Sequence, residues 1–194
     1  MARYRGSRVK VIRRLGLLPG FTSKSSNKPQ NNNKQLSQYG FHLQEKQKLR
    51  YNYGISEHEL IKYVKSARRK RGNSGDKLLQ LLEMRLDTLL YRTGFVPTVA
   101  SARQLISHGH INVNGKKVDI PGFNCSISDK IVINKEILKS LNDKNNSFST
   151  LNCSHLVLNE LNNDLTITVT NLPDIQVLGY SINILLVLEY YSGK

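Results

Sequence analysis

The chain has 194 residues and a formal net charge of +15, from 29 Lys+Arg against 14 Asp+Glu. With two Cys and 39% hydrophobic residues, it fits one or two small domains and not a disulfide-dense scaffold. Its nearest approach to a long apolar run, Ile182–Leu188, falls far short of the ~18 residues expected of a membrane span. The basic start Met1-Ala2-Arg3-Tyr4-Arg5 is followed by no apolar region, so no signal peptide is expected.

The charge is one-sided. Residues 1–75 hold 18 Lys+Arg against three acids, Glu45, Glu57 and Glu59, whereas residues 76–194 hold 11 of each sign. A segment at +15 repels itself unless a polyanion lies beside it. Nucleic acid fits that requirement best, and an anionic membrane surface is the weaker alternative.

In chain order, residues 1–20 alternate Arg3, Arg5, Arg8, Lys10, Arg13 and Arg14 with Gly, Ser and short apolar pairs. This pattern predicts an extended basic arm that orders on its partner. Ile12, Leu15, Leu17, Leu18 and Phe21 are unusual for a merely solvated tail. Residues 22–38, with Asn31-Asn32-Asn33, read as a flexible linker. Between 41 and 53, Lys46, Lys48 and Arg50 sit among Phe41, Tyr51 and Tyr53. Those cations suit phosphates and those rings suit stacking; equally, the rings could anchor a helical core.

A helix is predicted from position 56. Ser56 and Glu59 form a capping box, Ile55 and Leu60 occupy the staple positions, and Leu60, Ile61, Val64 and Ala67 follow at helical spacing. It ends in Arg68-Arg69-Lys70-Arg71 before Gly72. Four cations exceed what the helix dipole requires, which favours phosphate contact over a solvated end.

A second helix is predicted from about Asp76 to Arg92, with Leu78, Leu79, Leu82, Leu86, Leu89 and Leu90 on one face and Gly94 as its stop. A third starts near Thr98 and covers Val99–Ser107. The period then changes to two. Ile111–Val113, Asn114-Gly115 and Lys116–Val118 predict a hairpin with a type I′ turn. Lys130–Ile133 and Leu165–Thr170 read as further strands, with loops around a short strand near Leu156–Leu158. Residues 182–191 suit either a strand or a buried helix. Cys125 and Cys153 read as two reduced thiols rather than a disulfide, and two cysteines without Cys-x-x-Cys make no zinc site.

Residues 85–121 concentrate hydrogen-bonding and basic groups. Arg85 and Arg103 fall on helices, His108 and His110 bracket a helix-to-strand turn, and Asn114, Lys116 and Lys117 crowd the hairpin tip. With the helices on one face of the sheet, these groups can converge on a rim that follows an RNA backbone. Taken singly, each has a plain reading too. Arg85 can pair with Asp87 or Glu83, Asn114-Gly115 is required by the turn, and two turn histidines without a third ligand do not make a metal site.

The string Arg85-Leu86-Asp87, Tyr91–Phe95, Ala102–Leu105, His108–Ile111, Val113–Gly115 and Val118–Pro121 resembles the RNA-binding domain named after small-subunit ribosomal protein four. Ala2–Gly6, Arg13–Gly16, Glu45–Arg50, Tyr53-Gly54, Gly72–Gly75, Leu78–Glu83, Ile182-Asn183 and Leu186–Ser192 extend the resemblance to the family itself from end to end. Residues 140–163 and the 22–38 linker have no counterpart, and the zinc-binding cysteines of some members are absent, so neither metal nor cofactor is carried over.

The resemblance implies an α+β chain with three parts. A basic arm and linker span 1–40, a helical domain takes 41–84 with a returning C-terminal helix at 181–194, and the RNA-binding domain takes 85–180 with its 140–163 insertion. It implies a non-enzymatic component of the small ribosomal subunit. Such a protein binds the 5′ domain of the small-subunit rRNA early in assembly, beside neighbours including protein five and near the path by which mRNA enters. The side chains expected on RNA are the six cations of the arm, Lys46, Lys48, Arg50, Tyr51, Arg68–Arg71, Arg85, Arg103, His108, His110, Asn114, Lys116 and Lys117. The N-terminal phrasing resembles plastid versions, with a bacterial cytoplasm as second choice. Two other classes carry the same domain: RNA-modifying enzymes such as pseudouridine synthases, and free RNA chaperones. The first needs a catalytic domain for which this sequence offers no nucleophile–base pairing, phosphate loop or metal-ligand spacing.

Overall fold

The computed structural model describes residues 4–25, 36–134, 155–161, 164–173 and 182–192. Among the described residues are seven α-helices and a five-stranded antiparallel sheet, an α+β chain. The chain divides into two compact units, Met1–Leu79 with Leu178–Lys194, and Gln80–Val177.

The first unit is helical: α1 (Arg8–Leu15), α2 (Gln38–Asn52), α3 (Glu57–Arg69), the start of α4 (Ser74–Glu83), and α7 (Ile184–Ser192). The capping box at α3 is formed: Glu59 N–H donates to Ser56 Oγ at 3.3 Å, and Ser56 N–H donates to Glu59 Oε2 at 3.0 Å. Leu60, Val64 and Ala67 then bury one face. Residues 184–192 are helical, as the family resemblance implied.

Part of the basic arm is helix rather than extended chain. Eight residues are too few to hold a helix alone in water, so α1 depends on packing. Its Leu15 joins Leu18 and Phe21 in a small core against Val11 and Tyr51. Gly20 N–H donates to the buried Asn52 side chain at 2.9 Å, fixing the loop after α1 to the end of α2.

The second unit builds its sheet in the order β2-β1-β3-β5-β4, with β1 (Ile111–Val113), β2 (Lys116–Lys117), β3 (Lys130–Asn134), β4 (Leu156–Leu161) and β5 (Asp164–Val169). Alternate residues Ile111, Val113, Ile131, Ile133, Leu165, Ile167 and Val169 face one core. From α5 (Leu86–Arg92) and α6 (Val99–Ser107), Leu86, Leu89, Leu90, Ala102, Leu105 and Ile106 fill it. Each of the Leu, Ile and Val side chains contributes roughly 1.5–3 kcal/mol of burial. Part of the stretch read as an unmatched insertion is therefore a sheet strand, longer than expected: β4 pairs β5 from Leu156↔Val169 to Leu161↔Asp164. Residues 140–154, which include Cys153, residues 162–163 and the middle of the 22–38 linker lie outside the described residues.

The helix expected over 76–92 is two helices. Arg85 leaves helical geometry at φ −73°, ψ 141° and bridges Asn124. Leu86 and Asp87 donate their N–H groups to the Phe123 and Pro121 carbonyls, and Cys125 N–H donates to the Met84 carbonyl. The loop 121–125 thus takes over the backbone hydrogen bonds a continuous helix would make. The unbroken leucine periodicity hid the break, because both helices bury their leucines.

Candidate nucleic-acid interface

The expected RNA-contacting residues separate into exposed groups and groups used inside the protein. Arg5, Lys10, Arg13, Arg14, Arg69, Lys70 and Arg71 are exposed, Arg8 and Arg50 half-buried, and Arg3 lies outside the described residues. Lys48 pairs with Glu45, and Tyr51 packs against the α1 core.

Three expected contacts are engaged within the protein, Lys46 and Arg85 buried and Arg68 exposed. Lys46 is buried; its Nζ lies 3.1 Å from Glu57 and 4.3 Å from the centre of the Tyr190 ring. Tyr191 donates its hydroxyl to the same carboxylate at 2.6 Å. Burial alone would raise the Glu57 carboxyl, but these hydrogen bonds and the charges of Lys46 and Arg50 hold it below its ordinary value. Burial, and then the Glu57 bond, push Tyr191 up. Arg68 donates to the carbonyls of Leu188 and Tyr191 at 3.0 and 3.4 Å. It closes the last turn of α7, where carbonyls lack helical partners.

Arg85 is the third. It is fully enclosed, donating from Nε and an Nη to Asp87 at 3.0 and 2.9 Å. Of the two readings open in the sequence, pairing with Asp87 is the one realised. Asp87 also accepts from Arg103 Nε at 2.8 Å, and Arg103 keeps 18% of its side chain exposed. Glu83 is taken by Arg92 in a buried two-pronged pair at 2.7 and 2.8 Å. The second unit thus spends two acids and two arginines inside.

The hairpin turn has both residues at positive φ, Asn114 at 51° and Gly115 at 77°, as a type I′ turn requires. The Asn114 amide is occupied: Nδ2 donates to Asp129 at 2.8 Å and Oδ1 accepts from Lys130 N–H at 2.9 Å. Asn114 is thus a clamp between the turn and β3. Lys116, Lys117 and Lys130 are exposed around it. Lys130 was not anticipated as a tip residue, because only the β1–β3 pairing brings it there. The Lys117 side chain lies so close over Gly109 that a Cβ there would overlap it. His108 and His110 flank that glycine with rings 6.0 Å apart. The structure therefore gathers His108, His110 and Lys117 at one place, with Lys116 and Lys130 at the adjoining tip.

Such a surface can do ionic and hydrogen-bond chemistry with phosphates and 2′-hydroxyls. Cys125 is a poor nucleophile: burial, then the charges of Asp129 and Asp87, push its thiol up to about 12. Among the described residues no group of His, Cys, Asp and Glu could hold a metal ion. No described helix is long and apolar enough to cross a membrane.

Residues 3–83 match the ribosomal protein S4/S9 N-terminal domain, and residues 84–131 match the S4 domain. The chain is 49% identical to the small ribosomal subunit protein uS4c of Oltmannsiellopsis viridis, over 99% of this chain and all of the relative. It is 46% identical to those of Prototheca wickerhamii and Ostreococcus tauri over the full length of both chains in each case. Full-length identity at that level, with both domain matches in order, settles the family: the chain belongs to the uS4 family of small-subunit ribosomal proteins.

Proposed function

We propose that this protein is a structural, RNA-binding component of the small subunit of the plastid ribosome. Its full-length likeness to relatives named uS4c carries the reading. The charge partition supplies the physics. Residues 1–75 concentrate +15, which offsets the repulsion where several phosphate backbones meet. The second unit offers a smaller cationic tip whose geometry is fixed by Asn114, and an Arg103 held in place by Asp87. Shape and register come from this part, and bulk attraction from the other.

The finer reading is a primary binder of the 5′ domain of small-subunit rRNA. Its phosphate contacts are Arg3, Arg5, Arg8, Lys10, Arg13, Arg14, Lys48, Arg50, Arg69, Lys70, Arg71, Arg103, Lys116 and Lys117, with His108 and His110 at the rim. It sits beside small-subunit protein five and near the path by which mRNA enters. Nothing among the described side chains favours an enzymatic reading. The test is binding of purified protein to the 5′ domain and to an unrelated structured RNA of equal length, across a salt series. Preference for the 5′ domain at physiological salt is the expected result. Equal affinities that collapse together would reduce the protein to a basic arm. Sedimentation away from the 30S-type subunit would instead indicate a free RNA chaperone.

A further inference from the structure

Three aromatic rings meet in the first unit. Tyr4, Phe21 and Tyr51 lie with mutual centroid distances of 5.8, 5.5 and 5.4 Å. Phe21 is buried and Tyr51 half-buried in the small α1 core, whereas Tyr4 is 44% exposed. Arg8 lies over the Phe21 ring at 5.6 Å and Arg50 over the Tyr51 ring at 4.9 Å. The two inner rings thus each carry a guanidinium, and the outer ring is presented to solvent.

Tyr4 is not a loose terminal side chain. Its ring folds back over Gly6 so closely that a Cβ on Gly6 would overlap the hydroxyl and the ring edge. The edge of one ring against the face of another is the favoured aromatic geometry, and the 82° angle between Tyr4 and Tyr51 has it. An apolar ring held exposed contributes little to the core. The segment that carries it is cationic: Arg5, Lys10 and Arg14 are exposed along it.

We propose that Tyr4 is a stacking platform for an unpaired RNA base, the outer step of a three-ring ledge whose flanking arginines take the phosphates on either side of that base. Flat rings accept any base, because every base has a π-face, and arginine beside them handles the backbone. The charge around the ring selects a polyanion over an apolar protein surface as its occupant. The proposal rests on the RNA-binding reading above and names one site within it.

The test uses the full-length protein with two probes, a short oligoadenylate and an abasic strand of the same length. Tyr4→Ala is expected to weaken oligoadenylate binding by about 5- to 150-fold, the usual range for loss of one base–aromatic stack. It should leave the dependence on salt and the affinity for the abasic strand unchanged. Tyr4→Phe should bind like the wild type, and Gly6→Ala, which displaces the ring without removing it, should fall between. Wild-type affinity in Tyr4→Ala, or an equal loss on both strands, would overturn the platform and leave the ring facing something other than a base. Preference of the wild type for the 5′ domain is measured separately, so failure of the ribosomal reading and failure of the platform are told apart.

Discussion

Arg103 reaches from α6 to Asp87 at the start of α5 with its Nε 2.8 Å from Oδ2. The carboxylate is enclosed and shared with Arg85, while the arginine is partly in solvent. Two arginines around one acid leave the cluster with an excess positive charge. Asp87 thereby sets where Arg103 stands as well as neutralising Arg85.

Removing Asp87 should be severe. Asp87→Ala leaves Arg85 enclosed without its anion, and loss of one partner of a buried pair costs about 3–5 kcal/mol. Arg103→Ala keeps the Arg85–Asp87 pair and should cost roughly 1–2 kcal/mol. Urea unfolding of the two variants checks the order. Equal stabilities would mean that Arg85 needs no counter-ion.

The cations of α2 and α3 should divide by function. Lys46→Ala and Arg68→Ala remove contacts that hold α7 and should lower the melting temperature. Replacing Arg69, Lys70 and Arg71 by Ala should leave melting unchanged. It should also flatten the log affinity against log salt slope by about 2–3, at roughly 0.7–0.9 per phosphate. An unchanged slope would make that run a solvated helix end.

The two hairpin-side glycines differ in kind. Gly115 has nothing within 4 Å of where a Cβ would stand, so Gly115→Ala should cost only the left-handed backbone, about 1–2 kcal/mol. Gly109→Ala meets the same positive φ and also displaces the Lys117 side chain that lies over it. It should lose RNA affinity beyond its loss of stability. Calorimetry and RNA titration on both variants separate the effects.

Stability should depend on pH in three windows. His155 is buried beside Glu83 and Arg92, its Nε2 lacks a partner among the described residues, and burial foremost lowers its pKa. The unfolded chain therefore takes up the proton first below about 6.5, and stability falls as pH drops through that range. Glu57 has the same sign in a lower window, beginning near 4.5. Tyr191 has the opposite sign: its stabilisation is whole below pH 10 and is lost as pH rises above it. His155→Gln should flatten the first slope and Glu57→Gln the second, read by denaturant midpoints across pH.

Local signals were legible wherever a short-range rule decides the conformation. The Ser56–Glu59 box, the Asn114-Gly115 turn and the alternation of Leu165, Ile167 and Val169 all appear as read. The break at Arg85 was not legible, since it depends on carbonyls of Pro121 and Phe123 more than thirty residues away. Helix α1 was obscured by its charge density, because its stability comes from Phe21 and Tyr51 rather than its own propensity. At the interface, residue type identified cations but not their partners. Lys46 and Arg68 look like their neighbours until α7 is packed against them. Asp87 and Glu83 were named only as options for Arg85, and the spacing that sends one to Arg85 and Arg103 and the other to Arg92 exists only in three dimensions.

The closure of α7 by Arg68 also sets an order of events during synthesis. Helices α2 and α3 are synthesised more than a hundred residues before Tyr190 and Tyr191. Until then Glu57 lacks the Tyr191 hydroxyl, Lys46 lacks its aromatic cover and Arg68 has no carbonyls to cap. The sheet unit, encoded between them, can complete its core first, since folding proceeds from the emerged end. The basic unit is therefore the last to lock, and its Arg68 spends that interval as an uncommitted cation, open to the same polyanion the finished protein addresses with its neighbours.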